Sequence, residues 1–278
     1  MSIHLLTQNI HLLGFTFIFL AGRFRKDQIH SLIENFDAGG KLVGDGTRNQ
    51  VKHFTLDNEG VNIKSFKIPV FINKIAYRYF RKSKARRSFE YAQILLQKGI
   101  GTPQPIAFYE QYSFPGLNKS YYVSEHLDND FTLNQLIMNP HPDKERILQQ
   151  FAHFCFDMHE KGIEFLDHSA GNTLIKKTGE GKFSFYLCDL NRMRFHESMD
   201  FDLRMKNLQR LTTKEEVIKI IAYEYAKWYG KPEEIVFNNL WDKTSTFSKK
   251  YFRRKKIKHK LKDRLKSVTG IFSNNKSS

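Results

Sequence analysis

The stretch that decides the fold is D-H-S-A-G-N at residues 167–172, followed by the apolar run F-Y-L-C-D-L-N at residues 185–191. The first has the form D-x-x-x-x-N, from Asp167 to Asn172, and the second places Asp189 directly after a β-like run. Two acids and an amide in this order suit phosphoryl transfer, in which one Asp orients an attacking hydroxyl while the Asn and the other Asp hold Mg²⁺ on phosphates. Alone the pattern is weak, because D-x-x-x-x-N arises by chance and an Asp after a strand is often a simple strand terminator.

A glycine-containing turn upstream supplies a second part of such a site. Residues 44–51 read G-D-G-T-R-N-Q-V, which is G-x-G-x-x-G-x-V with Asn49 in place of the third glycine. Asn tolerates left-handed backbone angles better than other non-glycine residues, so the exchange is mild. We therefore predict that Gly44, Gly46 and Val51 cover the phosphates of a nucleotide. The alternative is an ordinary hairpin turn.

A strand lysine and a helical glutamate complete the upstream half. V-N-I-K at residues 61–64 has the form of the strand V-A-I-K, which predicts that Lys64 pairs with nucleotide phosphates. Apolar residues at three- and four-residue spacing predict a helix over residues 83–98. Glu90 is the only acid in the stretch 60–97, so it is the predicted partner of Lys64. A solvated edge-strand lysine and a surface helix charge are the alternatives.

The sequence between these upstream motifs and Asp167 predicts a strand and a long helix. S-Y-Y-V-S-E-H-L at residues 120–127 predicts a strand. If the chain is a kinase, this strand ends in the hinge between lobes, where backbone groups around Glu125 and Leu127 would bind adenine. An apolar stripe then predicts a helix over residues 143–161, which delivers the chain to Asp167.

With these signals in this order, the chain resembles the bacterial lipopolysaccharide kinases, which phosphorylate Kdo or heptose in the lipid A–core region. The resemblance covers residues 40–215 and rests on G-D-G-T-R-N at 44–49, V-N-I-K-S-F-K at 61–67, the basic run 81–88, D-L-N-R at 189–192 and N-L-Q-R-L at 207–211. It implies an α+β, two-lobed protein-kinase-like fold with a small β-rich N-lobe and a mainly helical C-lobe.

The resemblance also implies ATP and Mg²⁺ as cofactors and a role for each site residue. Lys64, held by Glu90, would pair with the α- and β-phosphates of ATP, and Asn172 and Asp189 would bind Mg²⁺. Asp167 would accept or orient the proton of a sugar hydroxyl. Such a site gains most of its rate from positioning and electrostatics.

Departures from the protein-kinase pattern bear on the acceptor. F-L-D at 165–167 replaces H-R-D, D-L-N at 189–191 replaces D-F-G, and no A-P-E-like activation segment follows before residue 211. These changes favour a small-molecule kinase over a regulated protein kinase. The alternatives are a related kinase acting on a protein, a glycan or an aminoglycoside, and a non-catalytic kinase-fold scaffold at the membrane.

Composition bounds the architecture and the compartment. The 278 residues, 40% of them hydrophobic, suffice for one two-lobed domain. We divide the chain into an apolar N-terminal segment of uncertain status (1–30), an N-lobe ending in the hinge (31–127), a C-lobe (128–245) and a basic tail (246–278). Cys155 and Cys188 lie in apolar runs, so we predict buried thiols in a reducing compartment.

The net charge of +16 is concentrated in two clusters. Residues 249–266, here called the basic extension, hold eleven Lys or Arg and one Asp, with Ile257, Leu261 and Leu265 on one helical face. Such a helix is typical of binding to a membrane surface. A second cluster, residues 74–87, holds seven basic residues and no acid.

Both clusters suit a lipopolysaccharide precursor or another anionic glycolipid as the partner. For the basic extension, a solvated tail and RNA binding are the alternatives, but beside a kinase site we expect no nucleic acid.

The apolar run over residues 10–21 is about twelve residues long, too short to span a bilayer alone. No basic region precedes it and no small-residue cleavage site follows, so we predict no signal peptide. A buried strand, an interfacial anchor and an over-extended start are the alternatives. We expect a cytoplasmic protein that is peripheral to the inner membrane.

Overall fold

An antiparallel sheet of seven strands forms the N-lobe in a computed structural model that describes residues 10–12, 14–20, 22–44, 49–67, 82–113 and 116–274. Its strands are β1 (Ile10–Leu12), β2 (Phe15–Phe19), β3 (Lys41–Val43), β4 (Asn49–Leu56), β5 (Glu59–Phe66), β6 (Pro105–Ser113) and β7 (Gly116–Glu125). They follow one another across the sheet in the order β1-β2-β6-β7-β5-β4-β3. The strand that carries Lys64 therefore lies inside the sheet, between β4 and β7.

The apolar N-terminal run supplies part of this sheet. Strand β2 pairs with β6, and its Phe17 is only 1% exposed. Helix α1 (Lys26–Glu34) follows and buries Ile29 and Ile33 in the same core. Of the forms predicted for this run, a buried strand is the one that residues 15–19 adopt. The described N-lobe thus begins before residue 31, where the sequence had placed its start.

Helix α2 (Lys84–Gln97) packs against the sheet and matches the predicted helix closely. It begins at Ser83, whose hydroxyl accepts a hydrogen bond from the Arg86 N–H at 3.1 Å, as N-cap serines do. Its buried face includes Phe89, whose ring lies 5.3 Å from that of Phe108 on β6. Gly99 follows the helix with a left-handed φ of +69°, which ends it.

The C-lobe is mainly helical, as predicted. Its helices are α3 (Leu133–Met138), α4 (Lys144–Glu160), α5 (Phe201–Leu208), α6 (Glu215–Tyr229) and α7 (Glu233–Asn274). Its short strands are β8 (Phe131–Thr132), β9 (Ile163–Phe165), β10 (Thr173–Gly179), β11 (Lys182–Leu187) and β12 (Met193–Phe195). Helix α4 lies at the centre of the core and buries Phe151 and Cys155 completely. Cys155 and Cys188 are both free.

A buried polar network ties three helices to the chain that leads into the site. His159 on α4 lies within hydrogen-bond distance of the Tyr225 hydroxyl (2.9 Å) and the Asn207 side-chain oxygen (3.1 Å). Asn207 in turn donates to the Phe165 carbonyl at 2.9 Å. Because all these groups are buried, each hydrogen bond offsets the free-energy cost of removing its polar groups from water, and breaking it would destabilise the fold. The network fixes the backbone two residues before Asp167.

The last helix carries the start of the basic extension. Helix α7 contacts α5 and α6 at its beginning, and Val236 and Leu240 there are buried. From residue 249 to residue 257 every side chain is exposed. Within the described residues, no helix combines the length and the apolar character needed to cross a membrane.

Two buried histidines make the stability of the fold depend on pH. Burial lowers the pKa of His159 to about 3 and that of His168 to about 4, whereas a histidine in an unfolded chain titrates near ~6.5. Below pH ~6.5 the unfolded chain therefore takes up protons that the folded chain does not. The free energy of unfolding should be highest above that pH and fall by roughly 1.4 kcal/mol per pH unit for each histidine as the pH decreases.

Urea unfolding between pH 7.5 and pH 5 measures this slope. We expect His159→Gln to reduce the slope by about one proton. Tyr225→Phe is the matched control, because it removes a hydrogen bond to His159 but keeps the buried imidazole, so it should lower stability without changing the slope. An unchanged slope in His159→Gln would contradict the account.

Candidate active site

The two lobes meet at an ion pair between Lys64 and Asp189. Lys64 lies on β5, and Asp189 follows β11; the lysine Nζ is 2.7 Å from the Asp189 Oδ1. Asn191 donates a second hydrogen bond to the same oxygen at 2.6 Å. Among the described residues, Oδ2 of Asp189 has no partner. One oxygen of this carboxylate is therefore held by the protein while the other remains open to a ligand.

The backbone at Asp189 adopts a conformation that non-glycine residues rarely use. Its φ is +59°, in the left-handed region, where an L-residue costs free energy that the surrounding structure must offset. Conformations of this kind are concentrated at functional sites. Here the turn directs the chain away from β11 and brings Asn191 back onto its carboxylate.

Asn172 lies beside Asp189. The Cys188 N–H donates to the Asn172 carbonyl at 2.9 Å, which joins the two segments next to both side chains. The Asn172 amide nitrogen donates to the Asp167 carbonyl at 2.9 Å, and its side-chain oxygen has no partner in the described part of the chain. A carboxylate oxygen and an amide oxygen on adjacent segments are donors that fit Mg²⁺, which usually takes one or two protein ligands and completes its shell with phosphates and water.

Asp167 is held by two arginines, Arg192 and Arg210, which we call the arginine pair. Their Nη1 atoms lie 3.1 Å and 2.8 Å from the same oxygen, Oδ1. As in Asp189, Oδ2 has no partner in the described part of the chain. The carboxylate thus has one fixed oxygen and one that can accept a proton from a hydroxyl group.

Arg210 also fixes the backbone of the loop that carries Asp167. Its Nη1 donates to the Leu166 carbonyl at 2.8 Å, and its guanidinium lies 5.4 Å from the ring centre of Phe247 on α7. The Leu166 N–H donates to the Arg192 carbonyl at 3.1 Å. Hydrogen bonds from two other segments therefore define the position of the loop.

His168, next to Asp167, is a core residue. It is fully buried, and its ring lies 5.9 Å from that of Phe151 and 5.7 Å from that of Phe165. Burial keeps its pKa low, so the ring is neutral at physiological pH. The residue anchors the loop between aromatic rings.

The predicted pairing of Glu90 with Lys64 is wrong in this structure. The Glu90 carboxylate lies 2.8 Å from the Lys82 Nζ and 2.9 Å from the Arg86 Nε. Arg86 is one helical turn before Glu90, a spacing that favours such pairs. Lys64 has Asp189 as its partner, and no ion pair joins it to Glu90 within the described residues. Glu90 thus lies on the predicted helix, but its carboxylate is paired with nearby basic residues and not with Lys64.

The glycine-containing turn lies only partly within the described residues. Gly44 has a left-handed φ of +81° and open space where a Cβ would lie, whereas Gly46 lies outside the described residues. Val51 pairs with Lys64 across β4 and β5 and with Val43 on β3. Val51 therefore lies on the strand that adjoins the one carrying Lys64, and Gly44 directly follows β3, one strand further towards the edge of the sheet.

The predicted hinge follows β7. The Glu125 N–H donates to the Gln104 carbonyl at 2.9 Å, and the His126 N–H donates to the Gly60 carbonyl at 2.8 Å. The Leu127 N–H has no partner among the residues described. A ligand could therefore use the Leu127 N–H, but the Glu125 N–H is already occupied.

The thiol next to Asp189 is not a nucleophile in this setting. Burial raises the pKa of Cys188 to about 12, so the sulfur is protonated at neutral pH despite the nearby Lys64. It fills space beside the ion pair.

Sequence reasoning did not give functions to Arg192, Arg210, Asn191 and Asn207. All four belong to the stretches 189–192 and 207–211, which carried the family resemblance. That resemblance was their only signal, because a loop partner more than forty residues away, such as Arg210 for Asp167, leaves no local pattern.

Two solved structures match this chain. The solved structure of WaaP in complex with acyl carrier protein matches with a TM-score of 0.54 and 18% identity, covering 79% of this chain and 91% of that one. Rio2 kinase from Chaetomium thermophilum, solved with ADP, Mg²⁺ and phosphoaspartate, matches with a TM-score of 0.46 and 12% identity, covering 86% and 75%. The WaaP likeness confirms the kinase-like fold.

No curated protein sequence matches the chain. The model of the lipopolysaccharide kinase (Kdo/WaaP) family, however, matches residues 52–228, which is more than half of the chain and includes Lys64, Asp167, Asn172 and Asp189. This family consists of kinases, and the match confirms the resemblance drawn from the sequence. The chain therefore belongs to the lipopolysaccharide kinase (Kdo/WaaP) family.

Proposed function

We propose that this protein transfers the γ-phosphoryl group of ATP to a hydroxyl of Kdo or heptose in the inner core or lipid A region of lipopolysaccharide. The observation that carries the proposal is a pair of carboxylates in which only one of the two oxygens is bound by protein groups. Asp167 and Asp189 each have one oxygen fixed by cations or amides and one oxygen with no partner among the described residues. This arrangement suits one acid that receives a proton and another that binds a metal.

Lys64, Asp189 and Asn172 form the nucleotide side of the proposed site. With MgATP bound, Lys64 would pair with the α- and β-phosphates, and Oδ2 of Asp189 and the amide oxygen of Asn172 would hold Mg²⁺. The metal supplies positive charge that neutralises the phosphates during transfer. Asn191, which keeps Oδ1 of Asp189 occupied, would direct the other oxygen to the metal. Glu90 would hold Lys64 only after its ion pairs with Lys82 and Arg86 are broken.

Asp167 is the proposed catalytic base. The attacking hydroxyl oxygen forms a bond to the γ-phosphorus, the bond from that phosphorus to the ADP oxygen breaks, and the hydroxyl proton passes to Oδ2 of Asp167. The arginine pair holds Oδ1, so the reacting oxygen has a defined direction. Holding a base in this way reduces the reorganisation needed in the transition state.

The adenine and the phosphates would occupy the groove beneath the N-lobe sheet. We propose that the Glu125 carbonyl and the Leu127 N–H bind adenine, because the Glu125 N–H is already used within the sheet. Gly44, Gly46 and Val51 would cover the phosphates, as the sequence pattern predicts.

The acceptor is proposed to be presented at a membrane surface. Tyr251, Phe252 and Ile257 on α7 are each about half exposed, and six Lys or Arg residues lie between 249 and 256. Exposed aromatic and aliphatic groups among cations suit an interface with anionic lipids. We therefore propose a cytoplasmic enzyme that is peripheral to the inner membrane, with a lipopolysaccharide precursor or another anionic glycolipid as its partner and no nucleic acid.

A first prediction concerns Asp167. We expect Asp167→Asn to lower turnover on the order of 10²- to 10⁴-fold, the usual contribution of a general base, with little change in folding or nucleotide affinity. The measurement is transfer of radiolabel from γ-labelled ATP to lipid A precursors with and without Kdo or heptose, with casein as the protein acceptor.

Asp157→Asn provides the matched control, since this half-exposed acid on α4 pairs with Lys161 away from the site and should keep wild-type activity. Normal turnover in Asp167→Asn would refute the assigned base. Labelling of casein alone would favour a protein kinase, and nucleotide binding without transfer to any acceptor would favour a scaffold.

A second prediction concerns the basic extension. Each Lys or Arg near an anionic membrane contributes about 1 kcal/mol, so Arg253→Gln with Arg254→Gln should weaken binding to anionic vesicles roughly 30-fold. Co-sedimentation with vesicles containing phosphatidylglycerol, against vesicles of phosphatidylcholine alone, measures the effect. Lys177→Gln with Lys182→Gln removes the same charge from an exposed C-lobe hairpin and should have little effect; equal losses from both double variants would exclude a specific role of the extension.

A further inference from the structure

Arg192 is fixed beside the proposed base by its backbone. Its carbonyl accepts a hydrogen bond from the Leu166 N–H at 3.1 Å, so its Cα is held against the loop that carries Asp167. It also follows Asp189 by only three residues. The side chain therefore begins between the proposed base and the proposed metal ligand.

The two members of the arginine pair differ in exposure and in the number of hydrogen bonds that they donate. Arg210 is one-third exposed, donates to both the Leu166 carbonyl and Asp167, and lies over the Phe247 ring. Arg192 is 55% exposed, and among the described residues its side chain makes only one hydrogen bond, from Nη1 to the Asp167 Oδ1 at 3.1 Å. A guanidinium has five N–H donors, so most of those of Arg192 remain available.

The charges around Asp167 also leave a cation in excess. One carboxylate faces two guanidinium groups, and Arg210 already binds both Oδ1 and the Leu166 carbonyl. The acceptor hydroxyl must approach Oδ2 of the same carboxylate, which brings the rest of the acceptor close to Arg192. The planar guanidinium matches carboxylates and phosphates with paired hydrogen bonds.

We propose that Arg192 is a specificity-determining residue that binds an anionic substituent, a carboxylate or a phosphate, of the acceptor near the hydroxyl that is phosphorylated. This inference rests on the proposed function and adds to it a requirement for acceptor charge. The carboxylate of a sugar acid and a phosphate ester on the glycolipid offer the same chemistry to the arginine.

The test compares acceptors that differ only in that charge. One pair is a Kdo-containing lipid A precursor and its carboxamide; the other is the phosphorylated precursor and its dephosphorylated form. For the charged acceptor that Arg192 binds, Arg192→Ala should raise KM on the order of 10- to 100-fold, as expected for loss of charge-assisted hydrogen bonds. The KM for ATP should change by less than about threefold, and Arg192→Lys should recover part of the loss. A fall in kcat from losing one of the two contacts to Oδ1 of Asp167 should be the same with charged and neutral acceptors, whereas the rise in KM should appear only with the charged one.

If the group that Arg192 binds is neutralised on the acceptor, the KM of the wild-type enzyme should rise to the value that Arg192→Ala shows with the charged acceptor. The KM of Arg192→Ala should be the same with the charged and the neutralised acceptor. The pair that shows this behaviour identifies the carboxylate or the phosphate as the bound group. Arg194→Ala is the matched control, because Arg194 is 65% exposed and its contact is with Glu164 at 3.7 Å.

A loss confined to kcat, or the same rise in KM with charged and neutral acceptors, would show that Arg192 acts only through Asp167 and would overturn the inference. The proposed function fails separately, if the wild-type protein phosphorylates none of these acceptors.

Discussion

The ion pair between Lys64 and Asp189 is the contact on which the rest of the site depends. It connects an inner strand of the N-lobe sheet to the end of a C-lobe strand, at 2.7 Å, where the two halves of the chain meet. Both residues are only partly exposed, so the pair is less screened by solvent than a surface salt bridge would be. It brings into one groove the lysine, the acid and, through the Cys188 to Asn172 hydrogen bond, the amide.

On the other side of the groove, Asp167 depends on contacts from outside its own loop. Arg210 reaches it from beyond α5, Arg192 from the segment after Asp189, and Asn207 holds the carbonyl of Phe165. Behind these residues, the His159 network joins α4 and α6 to the same backbone. The helical C-lobe therefore holds Asp167 in place, and positioning of this kind supplies much of the rate enhancement in a phosphoryl-transfer site.

Much of this could be predicted from the sequence, because a strand lysine, a D-x-x-x-x-N loop and an acid after a strand are local patterns. Helix α2 and helix α4 also followed from their apolar periodicity and lie within two residues of their predicted bounds. The partner of Glu90 did not follow, because the choice among Lys64, Lys82 and Arg86 depends on side-chain distances that spacing does not encode. The support of Asp167 by Arg210 likewise depends on tertiary contact, and the N-terminal strand β2 had an apolar pattern compatible with several forms.

The central claim, that Lys64 and Asp189 form the nucleotide and metal side of the site, is tested most directly by nucleotide-binding titrations with and without Mg²⁺. The account predicts that Mg²⁺ strengthens ATP binding to the wild-type protein, that Asp189→Asn abolishes this gain, and that Lys64→Met weakens binding under both conditions while the gain from Mg²⁺ persists. An undiminished gain from Mg²⁺ in Asp189→Asn would contradict it.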